Sequence, residues 1–575
     1  MHAASARATR RRARPTREAD ARATRVCDDA LDADADATRV ARSRDRSIDR
    51  FVRTGEVMRA GGASSAETMD DATRDGAEGA WERRAQATLA APMSVASAAS
   101  TARDVTTLAF AGRLASREAL GGAALGMTVA NIAGKSVLVG LSGAVNTLAG
   151  AAYGGRMYDR VGAVARRAAV VMTVVACALA PIWWNGERLA LFIGQDPDVA
   201  RACGTFLRGL IPTLFLHAWT GATQAFLQSQ GITEPPAVGA LIAAVVHPLA
   251  NVVLIRWCDL GLLGAAFACA VSGAVLLKIQ LLYIFVFRKR YRERDEALAR
   301  RRDACCTSWS FPDVFNAAGW REYLHLALPG VLLKAEWWAA DIVVACAGYL
   351  PRPSVSLAAM SIYANTSAFI FDLSLGICMA TMTRVTHELG ARSPERAGRA
   401  ARAGFELAAA VGFVAALVSL AVRPYWGYLF TSNDEVSLLV STLMMYLSVY
   451  VVFDGLGAVG TGVLKACGRQ AVAAPVVFVS YYALGIPTAM AIAFAANAGV
   501  VGLALGGLLG TMAHTCALAE IIWKLDWSVE TERASERAER ERAAATTRDI
   551  AADDSREPLL DEASRDWTEN YGAAP

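Results

Sequence analysis

The run Gly154-Gly155-Arg156-Met157-Tyr158-Asp159-Arg160-Val161-Gly162-Ala163-Val164-Ala165-Arg166 returns 236 residues later as Gly390-Ala391-Arg392-Ser393-Pro394-Glu395-Arg396-Ala397-Gly398-Arg399-Ala400-Ala401-Arg402. Gly154, Arg156, Arg160, Gly162, Ala165 and Arg166 fall on Gly390, Arg392, Arg396, Gly398, Ala401 and Arg402, with Asp159 on Glu395. A shift of 237 lays Asp198-Val199 on Glu435-Val436 and Gly231 on Gly468. Blocks a helix or more apart that keep nearly one offset mark a duplicated unit. Chance matches in Ala-rich sequence would scatter over many offsets.

The duplicated unit is apolar. Of 575 residues 54% are hydrophobic and 19% charged, and the mean hydropathy is +0.30, too apolar for an ordinary soluble enzyme of this size. Charge concentrates in the first 90 residues, from Arg288 to Arg302 and after Asp526, leaving long apolar runs between. A bilayer core about 30 Å thick takes roughly 20 helical residues to cross. Between Leu89 and Trp523 twelve such spans are expected, centred near residues 100, 132, 173, 214, 246, 274, 336, 368, 412, 450, 484 and 511. The first, which carries Arg103 and Asp104, is the weakest.

Lys and Arg cluster in alternate loops, at Arg156 to Arg167, Arg288 to Arg294, Arg392 to Arg402 and Lys465 to Arg469. The positive-inside rule makes those loops, and both termini, cytoplasmic. Six spans per half is an even number, so the halves share one orientation and are related by an axis along the membrane normal. The expected fold is an all-α membrane protein of two repeated six-helix bundles. Its parts are a disordered region at 1–84, a first lobe at 85–290, a cytoplasmic loop at 291–320, a second lobe at 321–525 and a charged cytoplasmic tail at 526–575. Substrate belongs between the lobes near midplane. Residues Met1 to Arg17 have a transit-peptide composition that the Asp-rich stretch after them contradicts, and no apolar segment resembling a secretory signal is present.

An acid near the middle of a membrane helix costs about 2.5 to 3.5 kcal/mol, so it calls for a partner, a cavity or a function. The seventh span, Leu324 to Leu350, holds Lys334, Glu336 and Asp341. Glu336 and Asp341 stand about 140° apart on a helix, so only one faces a central cleft squarely; Lys334 neutralising one of them is the structural reading. Asn365 and Asp372 share a face of the eighth span. Asp454 lies in the tenth, beside Phe453 and a Gly-rich stretch from Gly455 to Gly462, and its repeat counterpart is His217, so in this alignment one half alone carries the acid. A core carboxyl bonded to a neighbouring helix is the bland reading of Asp454. Trp337 and Trp338 follow Glu336, and an indole face attracts an organic cation, although packing is the commoner fate of a membrane Trp. The run Thr383 to Ala391, with Arg384, Glu388 and Gly390, reads as a helix end and tight turn that supports a hinge.

The remaining features point away from other chemistries. Eleven cysteines include no CxxC pair, and Cys177, Cys203, Cys269, Cys346, Cys378, Cys467 and Cys516 sit in apolar runs as small core residues. His217, His247 and His514 are isolated and suit core hydrogen bonding better than metal ligation, so no metal site is expected. The net charge of +4, with basic clusters broken by acids, excludes a nucleic-acid face. An enzyme is disfavoured by the lack of a nucleophile motif or clustered ligands. A flippase of lipid-linked precursors, the rival transporter reading, calls for more interior cations than Lys135, Lys278 and Lys334.

At these residues the chain resembles the multidrug and toxic compound extrusion family, in its eukaryotic, plant and algal detoxification branch, over roughly residues 85–530. The resemblance is carried by Leu328-Pro329 with Glu336-Trp337-Trp338, by Thr383 to Ala391, by Gly194 to Pro197 leading to Ile211-Pro212 and Phe226 to Gln230, and by Asp454 with Gly462 to Gln470. It implies alternating access and export of organic cations, xenobiotics or secondary metabolites against protons, with sodium the other coupling ion and no cofactor. It implies that Glu336, Asp341 and Asp454 bind proton and substrate in turn, with Asn365 on the same path. Asn146, Ala149 and Ala151 stand where the family usually has an acid, a Cys and a Gln, and Asp372 and Lys334 are also unusual. A monomer in the vacuolar or plasma membrane is expected, with lipid and a small organic substrate as its partners. Glu557-Pro558-Leu559-Leu560 narrowly misses an acidic dileucine signal because Ser555 stands where the acid belongs.

Overall fold

A computed structural model describes residues 71–114, 117–287 and 317–540 of the protein. The chain divides into two units, Met1–Glu78 and Gly79–Pro575, and the second holds the helical bundle. The expectations for residues 1–70, 291–316 and 541–575 lie outside the described residues. Helix begins at Asp71, earlier than the expected end of the disordered region at 84.

In chain order the helices are α1 (Asp71–Ala111), α2 (Glu118–Gly154), α3 (Arg160–Trp184), α4 (Pro197–Gln228), α5 (Glu234–Trp257) and α6 (Gly261–Val286). The second half comprises α7 (Ala317–Leu332) and α8 (Ala335–Cys346), then α9 (Pro353–Gly390), α10 (Pro394–Leu429), α11 (Asp434–Ala466), α12 (Gln470–Ala495) and α13 (Val500–Trp523). A last helix, α14, covers 527–540. Ten of these are long and apolar enough to cross a membrane. The other two expected spans are α1, whose Arg103 and Asp104 break its apolar run, and the seventh, which bends at Leu333-Lys334 into the shorter helices α7 and α8. Across that bend the Lys334 N–H donates to Val331 O at 2.9 Å.

The duplication reaches the backbone itself. Asp196 caps α4 by accepting from the amides of Asp198 and Val199, and 237 residues later Asn433 caps α11 by accepting from those of Glu435 and Val436. Arg156 and Arg392 both take the left-handed region, at φ 61° and 57°, as do Gly231 and Gly468 at 73° and 74°. Equivalent loops therefore turn by equivalent means.

The two halves also meet reciprocally. A Cβ on Gly154 would stand 2.1 Å from His387 O, and one on Gly390 would stand 2.0 Å from Ala151 O. Ala151 and His387 are themselves repeat partners, as are Gly150 and Thr386, which touch at the centre of this contact. Such an isologous contact is what a pseudo-two-fold axis between halves requires. Gly390 therefore permits a backbone-to-backbone approach, beyond the tight turn expected of it. Gly154→Ala and Gly390→Ala are each expected to cost this contact about 1–3 kcal/mol and to lower transport by the corresponding factor, about 5- to 150-fold. Gly143→Ala, at a glycine with open space around it, is the matched control and should leave transport unchanged.

Each half lends its first helix to the other. Gln86 of α1 donates to Ala400 O at 2.6 Å and accepts from Thr381 at 2.9 Å, and Arg83 pairs with Glu406. In the converse direction Tyr323 of α7 is buried in the first half's core, donating to Leu141 O at 2.8 Å. The expected tail includes α14, which packs across the basic-loop end. Its Trp527 lies against Gly398, Glu530 is fully buried against Arg469 and Arg533, and Glu539 pairs with Arg392 at 2.7 Å. Arg160 of the first half donates to Ala538 O, so α14 bonds both halves. Beside Glu530 the Arg469 guanidinium is held above its ordinary range by that carboxylate. Glu530→Ala is expected to destabilise the protein by about 1–3 kcal/mol, toward the lower figure because both arginines keep access to water. Thermal unfolding in detergent measures it.

Candidate functional site

Glu336 sits in the first turn of α8, where the unpaired amides of a helix start favour a carboxylate. The bend at Leu333-Lys334 supplies that helix start in the middle of a span. Asp454 lies midway along α11, and Tyr450, one turn earlier on the same face, hydrogen-bonds to it. Glu336 and Asp454 lie within electrostatic reach of each other. Tyr481 reaches both acids, His514 reaches Glu336 and Tyr363 reaches Asp454. The Tyr363 and Tyr450 rings meet edge-on at 6.5 Å, and the Tyr481 and His514 rings lie 5.4 Å apart. Thr511 donates to the Tyr481 hydroxyl at 3.4 Å.

The Gly-rich stretch brings α11 close to its neighbours. A Cβ on Gly455 would meet Ser374 of α9, and one on Gly457 would meet Thr515 of α13, at 2.9 and 2.8 Å. The second half thus holds a polar cluster of two carboxylates, tyrosine hydroxyls and an imidazole, assembled from α8, α9, α11, α12 and α13.

The other sequence candidates are distributed around it. Asp341 is exposed and within reach of Tyr482, so it and Glu336 point apart as their spacing requires. Asn365 is exposed and donates to Ser361 O of its own helix at 2.8 Å. Trp337 carries a resident cation, because the Lys334 ammonium lies 3.7 Å from the centroid of its ring. Lys334 stays within electrostatic reach of Glu336, but among the described residues no ion pair joins them. Trp338 donates to Ser136 of α2 at 3.1 Å, tying α8 to the first half.

Arg384 forms a two-pronged pair with Glu82 of α1, at 2.9 and 2.8 Å, and bonds Glu388 at 2.9 Å, all largely buried. His387 bonds Ser229 O at 2.7 Å, and Thr147 donates to Lys465 O at 2.8 Å. The hydrogen bonds between the halves run from Ser136–Trp338 and Thr101–Asp372 down to the basic-loop end, where they are densest. Arg384, bonded to Glu388 and to Glu82, therefore joins the two halves at that end.

Sequence reasoning missed Tyr450, Tyr481 and His514 as pocket residues. The four-residue spacing of Tyr450 and Asp454 was a usable signal; Tyr481 and His514 are brought in by packing alone. The repeat counterpart of Asp454 is His217, and Asp104, carried on α1, lies within electrostatic reach of that histidine. Asp372 accepts from Ser97 and Thr101 of α1, the latter at 2.8 Å, and so bonds across the halves. His247 is a core histidine as expected, contacting Thr107 at 2.9 Å and Ser272 at 3.1 Å. Cys203, Cys378 and Cys467 are buried, whereas Cys177 and Cys516 are exposed on their helices.

A duplicated bundle of membrane helices with a cluster of carboxylates among its spans is the build of a multi-pass membrane transporter. The sequence matches the MatE family over residues 92–253 and 333–491, one segment in each half. It is 30% identical to Protein DETOXIFICATION 16 of Arabidopsis thaliana over 477 residues, 82% of this chain and 94% of that one. It is likewise 30% identical to Protein DETOXIFICATION 53 of the same plant, over 78% of this chain and 89% of that one. The fold superposes on the crystal structure of the eukaryotic MATE transporter AtDTX14 with a TM-score of 0.73 at 27% identity, covering 80% of this chain and 99% of that one. The Vibrio cholerae MATE transporter VcmN, at 18% identity and a TM-score of 0.68, shares the fold. The chain belongs to the multidrug and toxic compound extrusion family of transporters, in its eukaryotic detoxification-type branch.

Proposed function

We propose that the protein is a proton-coupled antiporter that exports organic cations or related metabolites by alternating access, with Glu336 and Asp454 as its exchange site. The observation that carries this reading is the proximity of these two carboxylates within a tyrosine-lined pocket. Two acids close together in a low-dielectric site favour capture of either a proton or a cation, and each displaces the other. Competition at one site makes the exchange obligatory without a separate gate.

Asp341, exposed beside the pocket, receives the cation on its path, and Asn365 adds a polar step along the same helix wall. Trp337 acts through Lys334, holding that ammonium away from Glu336 so that the acid stays open to substrate. Arg384, Glu388 and Gly390 seal the basic-loop end while the other end is open. The coupling ion is the proton, with no cofactor required, and sodium replaces it only if efflux follows a sodium gradient at constant pH. The proposed setting is a monomer in the vacuolar or plasma membrane with the basic loops in the cytoplasm. A tag inserted near Ala304 is then expected to be protected in sealed right-side-out plasma-membrane vesicles or accessible on intact vacuoles, and the opposite labelling in the membrane that holds the protein overturns that orientation.

The test of the function is efflux of a fluorescent organic cation from reconstituted vesicles. An imposed pH gradient should drive it, and collapse of the gradient should stop it. Efflux that ignores the gradient removes the antiport reading.

A further inference from the structure

The position that Asp454 occupies in the second half is taken in the first by His217, and the surroundings of the two differ in sign. Arg103 and Asp104 arrive on α1. Lys135 closes a π turn, Asn131–Lys135, in which Ala133 departs from helical geometry at φ −96° and ψ 26°. Lys135 Nζ pairs with Asp104 Oδ2 at 2.9 Å, and both side chains are about one-third exposed, 30% and 37%. Arg103, Asp104 and Lys135 all lie within electrostatic reach of His217, which is exposed and uses Nδ1 to bond Thr213 O at 2.8 Å.

The two cations of this cluster face two carboxylates, Asp104 and Asp372, but of the two cations only Lys135 has one of them as a hydrogen-bond partner among the described residues. Asp104 spends its hydrogen bond on Lys135 and stays within electrostatic reach of Arg103, whose guanidinium among the described residues bonds the neutral Ser100 hydroxyl, at 3.2 Å. Its Nε is buried without a partner. Asp372 also feels Lys135, but its two oxygens are taken by Ser97 and Thr101. A guanidinium without a bonded anion among membrane helices is costly unless an anion visits it. A planar fork of donors that no carboxylate occupies matches a carboxylate.

We infer that Arg103, Lys135 and His217 form an anion-accepting subsite in the first half, and that the preferred substrates carry a carboxylate as well as a cationic nitrogen. The carboxylate docks at Arg103 and Lys135, and the cationic end docks at Glu336 and Asp454 across the cleft. The transporter then selects zwitterions over plain cations. This rests on the exchange-site reading above for the cationic end only.

The experiment uses the full-length protein in proteoliposomes and a matched pair of probes, an aromatic quaternary-ammonium carboxylate and its methyl ester. The ester keeps the cation and removes the anion. The wild type should move the carboxylate with a kcat/KM about tenfold or more above that of the ester, the range for hydrogen bonds to a charged group. In Arg103→Gln and in Lys135→Gln that ratio should collapse toward one, while Arg103→Lys, which keeps the charge but loses the fork, should retain part of it. Thermal shift in detergent gives a second readout: the carboxylate should stabilise the wild type more than the ester does. A wild type that moves the ester as readily as the carboxylate overturns the subsite and leaves the antiport reading standing, as does a ratio that survives both Gln substitutions. If neither probe moves under a proton gradient while the carboxylate alone raises the melting temperature, the antiport reading falls and the subsite stands.

Discussion

Glu336→Gln is expected to reduce gradient-driven cation efflux to the level of empty vesicles while the protein still inserts and folds. Glutamine keeps the shape of the side chain and its capacity for hydrogen bonds at the start of α8, and it removes the charge and the titrating proton. Packing around position 336 changes little, since the side chain is only partly buried and no ion pair depends on it among the described residues. Lys334 keeps its place over Trp337. A loss of transport with an unchanged melting temperature therefore reports on proton and cation exchange. Efflux that stays pH-dependent at the wild-type rate in Glu336→Gln removes this residue from the mechanism.

Asp454→Asn should be equally severe, for a related reason. The amide imitates a permanently protonated acid, so Tyr450 keeps a partner while the site loses one of the two carboxyl groups that can exchange a proton for a cation. Asp454→Glu keeps the charge one methylene further out and should retain partial transport with a displaced pH optimum. A purely structural Asp454 predicts the reverse order: Asn would preserve the hydrogen bond and transport, and the longer Glu would disturb the packing that Gly455 and Gly457 make possible. Side-by-side pH profiles of efflux for the wild type and both variants separate the two readings. A normal profile for Asp454→Asn defeats the coupling role.

The two halves of the pocket were visible to sequence reasoning in unequal degree. An acid in an apolar run announces itself, because the cost of burying its charge has no explanation in packing, and Glu336, Asp341 and Asp454 stood out for that reason. Tyr481 and His514 did not, because tyrosine and histidine in a membrane helix are ordinary core residues until a carboxylate is placed beside them. Asp104 was seen only as a blemish in a weak span, and its ion pair with Lys135, on a different helix, has no local signature. The pairing of Lys334 with Glu336 was a reasonable inference from proximity along the chain. The bend at Leu333-Lys334 turned Lys334 onto Trp337 instead.

What the sequence by itself determined is the duplication and the membrane as solvent. Each of these follows from short-range terms: the apolar length of a span, the residues that cap it, and the charge of the loop after it. The repeat offset carried even the left-handed turns at Arg156 and Arg392 and the caps at Asp196 and Asn433. Only the tertiary structure decided which faces meet. Gly154 and Gly390 look like turn glycines in sequence and prove to be the points where two helices touch through backbone atoms. The bonding of Arg384 to Glu82, 302 residues apart, and the packing of α14 across both halves depend on long-range geometry. That geometry is fixed by how small side chains let particular helices approach, and no linear pattern records it.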